Sequence, residues 1–333
     1  MPAWPLHFAS GHAVDFEAGK QARSVLSADK FGMICAGIDV NRLNLIETFY
    51  LETDLTIQTM KKALVIVFMI SGFAAMSQSL SLKWKTPPNL PVPESVALEP
   101  KSNVLYVACI NGKPDEKDGN GTIAKVGVDG KIQATDWATG LDAPKGMGIH
   151  GGNLYVADIT QVRVISQATG KITSSIEIEG AKFLNDITVD KKGNVYVSDT
   201  QTGKIHLVKG NKAELYFESP ELNGINGLLA IDNGLYIVSF ATGNSFKLSS
   251  DKKLTPFTKV IEGADGIVPV GKDEYLVSSW HGEVYYVDAK GAKKLLDTKD
   301  KVNAADIEYD PKTKTLFVPT FFANSVDAYT FSK

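Results

Sequence analysis

The stretch LNDITVDKKGNVYVSDTQTGKIHLVKGNKAELYF, residues 184–217, contains four short apolar runs separated by turns. LNDITV, NVYVSD, KIHLVK and KAELYF alternate apolar and polar side chains, and Lys-Lys-Gly, Thr-Gly and Gly-Asn punctuate them. Period-two alternation broken by Gly and Asn turns predicts a meander of four antiparallel strands. The first run is unusual at its start, where the amide of Asn185 and the carboxylate of Asp186 stand at the mouth of a strand about to enter a core.

Five further stretches open in the same way: PESVALEP (93–100), PKGMGIHG (144–151), INGLLAID (225–232), ADGIVPVG (264–271) and AADIEYDP (304–311). Each is followed by a second strand such as NVLYVACI, NLYVADI or EYLVSSW, and by a third such as TIAKVGV or EVYYVDA. Four strands repeated about every forty residues describe a β-propeller blade, so six units predict an all-β, six-bladed β-propeller. The last unit reaches Lys333 after only three strands, and SLSLKWKT (79–86) is available to supply the fourth. That N-terminal strand is expected to close the last blade and remove two open sheet edges.

Ahead of the repeats lies MKKALVIVFMISGFAAMSQ, beginning at Met60. Two lysines, an apolar run and Ala75-Met76-Ser77 have the form of a secretory signal peptide over 60–77, too short for a comfortable membrane span. Residues 1–59 then read as an upstream extension or disordered leader, residues 78–333 as the propeller, and the product as periplasmic or secreted if translation starts at Met60. Of 35 basic and 38 acidic residues, six and seven precede residue 78, so the remainder is near neutral and offers no basic face for nucleic acid. Cys35 falls in the leader, leaving Cys109 alone in NVLYVACI, where a small buried hydrophobe is expected.

In a propeller the first strand of each blade lines the central channel, so equivalent positions form rings. The position of Asn185 collects Glu94, Lys145, Asn185, Asn226, Asp265 and Ala305, and the next collects Ser95, Gly146, Asp186, Gly227, Gly266 and Asp306. Taken singly, Asx pairs at strand starts read as turn formers. Four oxygen-bearing side chains in register, two of them carboxylates, call for a neutralising charge. Two carboxylates and two amides suit a hard divalent cation, Ca²⁺ first, with Mg²⁺ or Mn²⁺ also admissible and Zn²⁺ atypical without His or Cys ligands. Lys145 either stands aside from the ion or faces an anionic substrate group.

PESVALE and the later Asn-Asp, Asn-Gly and Asp-Gly openings resemble, in the same order, the motifs of the gluconolactonase/senescence-marker-protein (regucalcin-like) family of six-bladed propellers. The resemblance spans about residues 80–333. It implies a divalent cation held by Glu94, Asn226 and Asp265 with Asn185 beside it, and Asp265 as general base. The chain departs from the pattern at Val96-Ala97-Leu98, where Pro-Val-Trp is usual, and no channel Arg is present to grip substrate.

The links between second and third strands face the same end as the ring. They are expected to wall a pocket with Asp158, Asp199, Trp280-His281 and Phe321-Phe322, beside the acidic insertion GKPDEKDGNG (112–121). The expected activity is metal-assisted hydrolysis of a lactone, ester or related sugar acid, with Asp265 or Asp186 taking a proton from water. Asn185, Lys145, Trp280, His281 and Asp306 are the substrate-facing candidates. No Gly-x-Ser-x-Gly elbow supports a serine nucleophile. The competing expectation is a non-catalytic propeller that binds a ligand or protein partner over a structural metal.

Overall fold

The computed structural model describes residue 53 and residues 55–61, 77–298 and 301–333. The proposed leader at 1–59 lies almost wholly, and the signal segment at 60–77 mostly, outside the described residues; 55–61 is helical. No helix among the described residues is long and apolar enough to cross a membrane.

Residues 77–333 form six four-stranded antiparallel sheets. The innermost strands are Pro93–Glu99, Pro144–His150, Leu184–Val189, Ile225–Ile231, Ala264–Gly271 and Glu308–Asp310. Each packs against the inner strand of the next sheet, and the sixth returns to the first, so the sheets are the blades of a closed six-bladed β-propeller. In five blades the four strands follow one another in the chain. In the sixth, Ser79–Lys85 pairs with Ser325–Ser332, placing Ser79 opposite Ser332 and Lys85 opposite Asp327.

Burial follows the architecture. Second strands such as Val104–Cys109 and Thr315–Thr320 are buried throughout, because blades stack on both of their faces. Outer strands such as Lys212–Glu218 are mostly exposed or half-buried, since one edge meets water. Six hydrophobic clusters fill the six gaps between neighbouring blades. Leu90, Val96, Val107, Phe317 and Val326 fill the seam between blades six and one, and Tyr196, Ile205, Leu228 and Ile237 fill that between three and four. A side chain of this size contributes about 1.5–3 kcal/mol when fully buried, so each seam holds its blades by many small gains. A seventh cluster, Ile110, Ala143, Ile159 and Phe321, with Val92 and Trp280 against it, lies at the end of the channel that carries the candidate ring.

Two features shape that end. First, five of the six inner strands shift register at the ring positions: Leu184 faces Asp199 and Ile187 faces Val197, so Asn185 and Asp186 together oppose Ser198 alone. The same two-against-one bulge interrupts Pro144/Met147, Ile225/Leu228 and Ala264/Ile267, and a one-residue shift separates Pro93 from Ser95. A bulge suspends the in–out alternation of a strand, which lets two consecutive residues address the channel. Second, three ring positions are glycine because the next blade comes too close for a side chain. A Cβ on Gly146 would lie 2.7 Å from the Asn185 carbonyl oxygen, and one on Gly266 would lie 2.6 Å from the Ile307 nitrogen.

The sixth inner strand begins at Glu308, four residues later than AADIEYDP suggests. Its preceding residues are recruited by blade one: Asp306 N–H donates to the Glu94 carbonyl at 3.0 Å, and Ser95 and Asp306 form an isolated parallel bridge.

Candidate functional site

The bulges place Glu94, Lys145, Asn185, Asn226 and Asp265 on the floor of one cavity of about 450 Å³ at the end of the channel. All five are buried. Four carry a buried side-chain oxygen without a hydrogen-bond partner: Glu94 Oε2, Asn185 Oδ1, Asn226 Oδ1 and Asp265 Oδ1. Buried polar atoms are nearly always partnered, so four orphans on one floor require an explanation. Their remaining bonds aim them: Asn185 Nδ2 donates to Thr200 Oγ1 at 3.0 Å, and the Asn226 side chain bonds to Asp265.

The floor is also short of positive charge. Burial, then the charges of Asp265 and Asp306, hold the Glu94 carboxyl well above the usual carboxylate range. Burial and Asp306 do the same for Asp265. Lys145 does not offset this with a free ammonium. Its Nζ donates to Pro114 O at 2.8 Å and Ala143 O at 3.0 Å and lies 4.4 Å from the Phe183 ring centre, and burial lowers its pKa to about 8. Two carboxylate and two amide oxygens, inward-facing and unpartnered, fit a hard oxygen-seeking cation. Among the described residues no group of three or more His, Cys, Asp and Glu is placed to hold a metal, which leaves this mixed carboxylate–amide set as the candidate.

Trp280 stands at the centre of the wall, with ring centres of Phe240, Phe321 and Phe322 at 6.2, 4.6 and 6.0 Å. Phe183, Ile110 and Pro114 complete the apolar lining, and Gly112 and Lys113 bring the blade-one insertion to the rim. Phe183 and Phe240 were missed in the sequence, although Phe240 follows Ser239 as Trp280 follows Ser279. The base of the wall holds two β-branched residues in the left-handed region, Val92 (φ 52°) and Ile159 (φ 56°), a conformation that costs such residues of order 1–3 kcal/mol.

The other expected site residues lie elsewhere. His281 is exposed and is not part of the cavity lining. Asp186 and Asp306 line a separate space of about 280 Å³ further along the channel, together with Glu308. Asp186 accepts Ile187 N–H and Leu228 N–H at 2.6 Å each and bonds to Asp306, which also accepts Ser95 Oγ at 2.9 Å. Burial and Asp306 push the Asp186 carboxyl well up, and burial brings Asp306 to about 7.

Asp158 and Asp199 brace the site from behind. Asp199 accepts the amides of Lys182 and Phe183 at 3.0 Å each, and Asp158 Oδ1 accepts those of Asp142 and Ala143 at 3.0 and 2.8 Å. Arg163 Nε donates to Asp158 Oδ2 at 2.8 Å. Blades four and five carry Ser239 and Ser279 at the same position, their hydroxyls donating to the Gly224 and Asn223 carbonyls and to that of Glu262. Blade one has the buried Cys109, whose thiol is pushed up to about 12 by burial. No carboxylate is needed there, because Pro91 and Pro93 have no amide hydrogens and Val92 N–H is taken by Asn324 Oδ1 at 3.0 Å.

No protein-family model and no curated protein matches the chain. Solved structures do share its fold. A catalytically inactive variant of virginiamycin B lyase from Staphylococcus aureus, crystallised with quinupristin, aligns with a TM-score of 0.56 and 14% identity over 76% of this chain and 99% of that one. A luciferin-regenerating enzyme gives 0.55 and 13% over 77% and 96%. A Bacteroides thetaiotaomicron protein of unknown function gives 0.59 and 13% over 77% and 76%. At such identities the likeness establishes the propeller fold and nothing finer.

Proposed function

We propose that the chain is a metal-dependent hydrolase that opens a lactone or related ester at the floor of the aromatic cavity. The observation that carries the reading is the set of four buried, unpartnered oxygens on Glu94, Asn185, Asn226 and Asp265. These residues would hold a divalent cation, Ca²⁺ being the best match to the donor set. When bound, such an ion would polarise the acyl oxygen and stabilise the charge that develops on it.

The chain's own residues supply the rest. Asp265 lines the cavity and is the carboxylate assigned to take a proton from the attacking water, while its Oδ1 also helps to hold the cation. Asp186 is not given that role, because it opens to the other space and accepts two backbone amides. Water oxygen adds to the acyl carbon, the ring C–O bond breaks, and the departing alkoxide recovers the proton as a hydroxy acid forms. The aromatic wall excludes bulk water, which strengthens the electrostatics of the floor. Lys145 fastens the blade-one insertion over the cavity through Pro114. Export to the periplasm or beyond belongs to the same reading and rests on the signal-like segment 60–77.

Elemental analysis of the purified protein, followed by assays on lactones and aryl esters with chelator and with Ca²⁺ restored, tests the proposal. Bound cation near one equivalent is expected, with activity lost on chelation and in Glu94→Gln and Asp265→Asn. Retention of full activity in chelator by both variants would sink it. A second reading, a non-catalytic binding propeller over a structural cation, is favoured by the engaged Lys145 ammonium, which leaves no cationic side chain among the described residues of the floor to grip an acid. That reading expects a large chelator effect on melting and no turnover.

A further inference from the structure

The lining of the cavity bears on which substrate it accepts. We infer that the substrate is an apolar lactone or ester bearing an alkyl chain or aryl group, not a polyhydroxylated sugar lactone or sugar acid. The catalytic half of this inference rests on the hydrolase reading, and the binding half on the wall alone.

The wall presents carbon. Trp280 gathers Phe240, Phe321 and Phe322 around it, and two of these rings are uncovered at the mouth, Phe322 at 72% exposure and Phe240 at 39%. Large aromatic faces left open beside a cavity gain free energy only when an apolar body covers them. A volume of about 450 Å³ is within the range of small-molecule sites and accommodates a chain or ring system beyond the acyl group.

The polar side chains near the wall are already engaged. Thr200 Oγ1 donates to Ile225 O at 2.7 Å while accepting from Asn185. Lys145 is held by two carbonyls, and Lys113 pairs with Glu116. An aromatic ring also stacks on the C–H face of a sugar, but sugar hydroxyls then need partners to replace the water they lose. Among the described residues this wall offers them little beyond the exposed Lys113 ammonium, which already pairs with Glu116.

The test compares γ-lactones from γ-butyrolactone to γ-decalactone with phenyl acetate and D-glucono-δ-lactone, by kcat/KM. In parallel, calorimetry measures binding of the corresponding γ-lactams, whose amide bond resists hydrolysis. Each added methylene is expected to raise both quantities about three- to fourfold until the cavity is filled, with the sugar lactone no better than γ-butyrolactone. Phe322→Ser, at an exposed position that does not threaten folding, should flatten the chain-length dependence, and Trp280→Ala should flatten it further. A flat series, or a sugar lactone preferred to γ-decalactone, overturns the inference while leaving the hydrolase reading intact. Lactams that climb the series while nothing is hydrolysed support the apolar site and overturn the hydrolase reading.

Discussion

Replacing Gly227 with alanine puts one methyl group at the closest approach of blades four and five. Its Cβ would fall within the van der Waals envelope of the Asp265 carbonyl oxygen, 3.2 Å from the Asp265 carbonyl carbon and 2.8 Å from Val238 Cγ2. Carbon atoms rest about 3.5–4.0 Å apart, so the strand bearing Asp265 must retreat by roughly an ångström. The obstacle is backbone, which cannot swing away as a side-chain tip can, and the upper end of the overpacking range, about 3 kcal/mol, applies. Gly227 is not in the left-handed region, so alanine imposes no backbone strain and recovers about 0.4–1 kcal/mol through the unfolded chain. The net loss is about 2 kcal/mol. With an unfolding entropy near 2.1 cal/mol/K per residue over this propeller, that lowers Tm by about 4 °C. If the proposed cation site is real, the displaced carboxylate should also weaken it, so any Tm gain on adding Ca²⁺ should shrink. Scanning calorimetry in chelator and in Ca²⁺ reads both effects. An unchanged or raised Tm, with the Ca²⁺ response of the native protein, would refute the packing argument and the placement of Asp265.

Asp199→Ala leaves the partly buried amides of Lys182 and Phe183 without an acceptor and should cost about 1–3 kcal/mol in urea denaturation; Asp199→Asn, which keeps one oxygen, should cost less. Equal midpoints for the two variants would show that the brace is not the cause. Glu308 sets a pH dependence, because burial raises its carboxyl from 4.5 to about 7. The folded state therefore binds the proton more tightly than the unfolded chain. The associated stability is fully present below pH 4.5 and is lost as pH rises through about 7. The stability margin of the native protein over Glu308→Ala should accordingly narrow by about 3 kcal/mol between pH 4.5 and 8. A margin that widens over that window would contradict the burial of this carboxyl.

The blades were legible because strand alternation and turn residues are local, and six copies of one pattern reinforce one another. The ring was legible for the same reason: aligning PESV, LNDI, INGL and ADGI brings Glu94, Asn185, Asn226 and Asp265 to one level on sequence alone. What alternation cannot supply is the direction of neighbouring side chains. Asn185 and Asp186 read as a pair, yet one belongs to the aromatic cavity and the other to the space beyond it. Asp158 and Asp199 looked like wall residues because they sit on the links. Their role as braces depends on amides of the preceding loop, whose distance in space no spacing reveals. His281 and Trp280 are adjacent in sequence, and the turn sends only the indole to the cavity. In the last blade, AADI resembles its siblings, but the bond from Asp306 to blade one delays the strand to Glu308.

The register shift in the inner strands has a consequence for how such a protein can diversify. Because the first residue of each bulge stands outside the in–out rhythm of the strand, it can be exchanged without moving the hydrophobic side chains on either side, whereas the glycine that follows it in three blades is held by the close approach of the next blade. The floor is then spelled by the blades independently, one letter from each, while the seams between blades keep their own text. Lys145, Asn185 and Asp265 are instances: blades two, three and five contribute a cation, an amide and a carboxylate to the same level on nearly the same backbone. A new chemistry at this end of the channel is therefore a few substitutions away, and the fold need not be renegotiated to reach it.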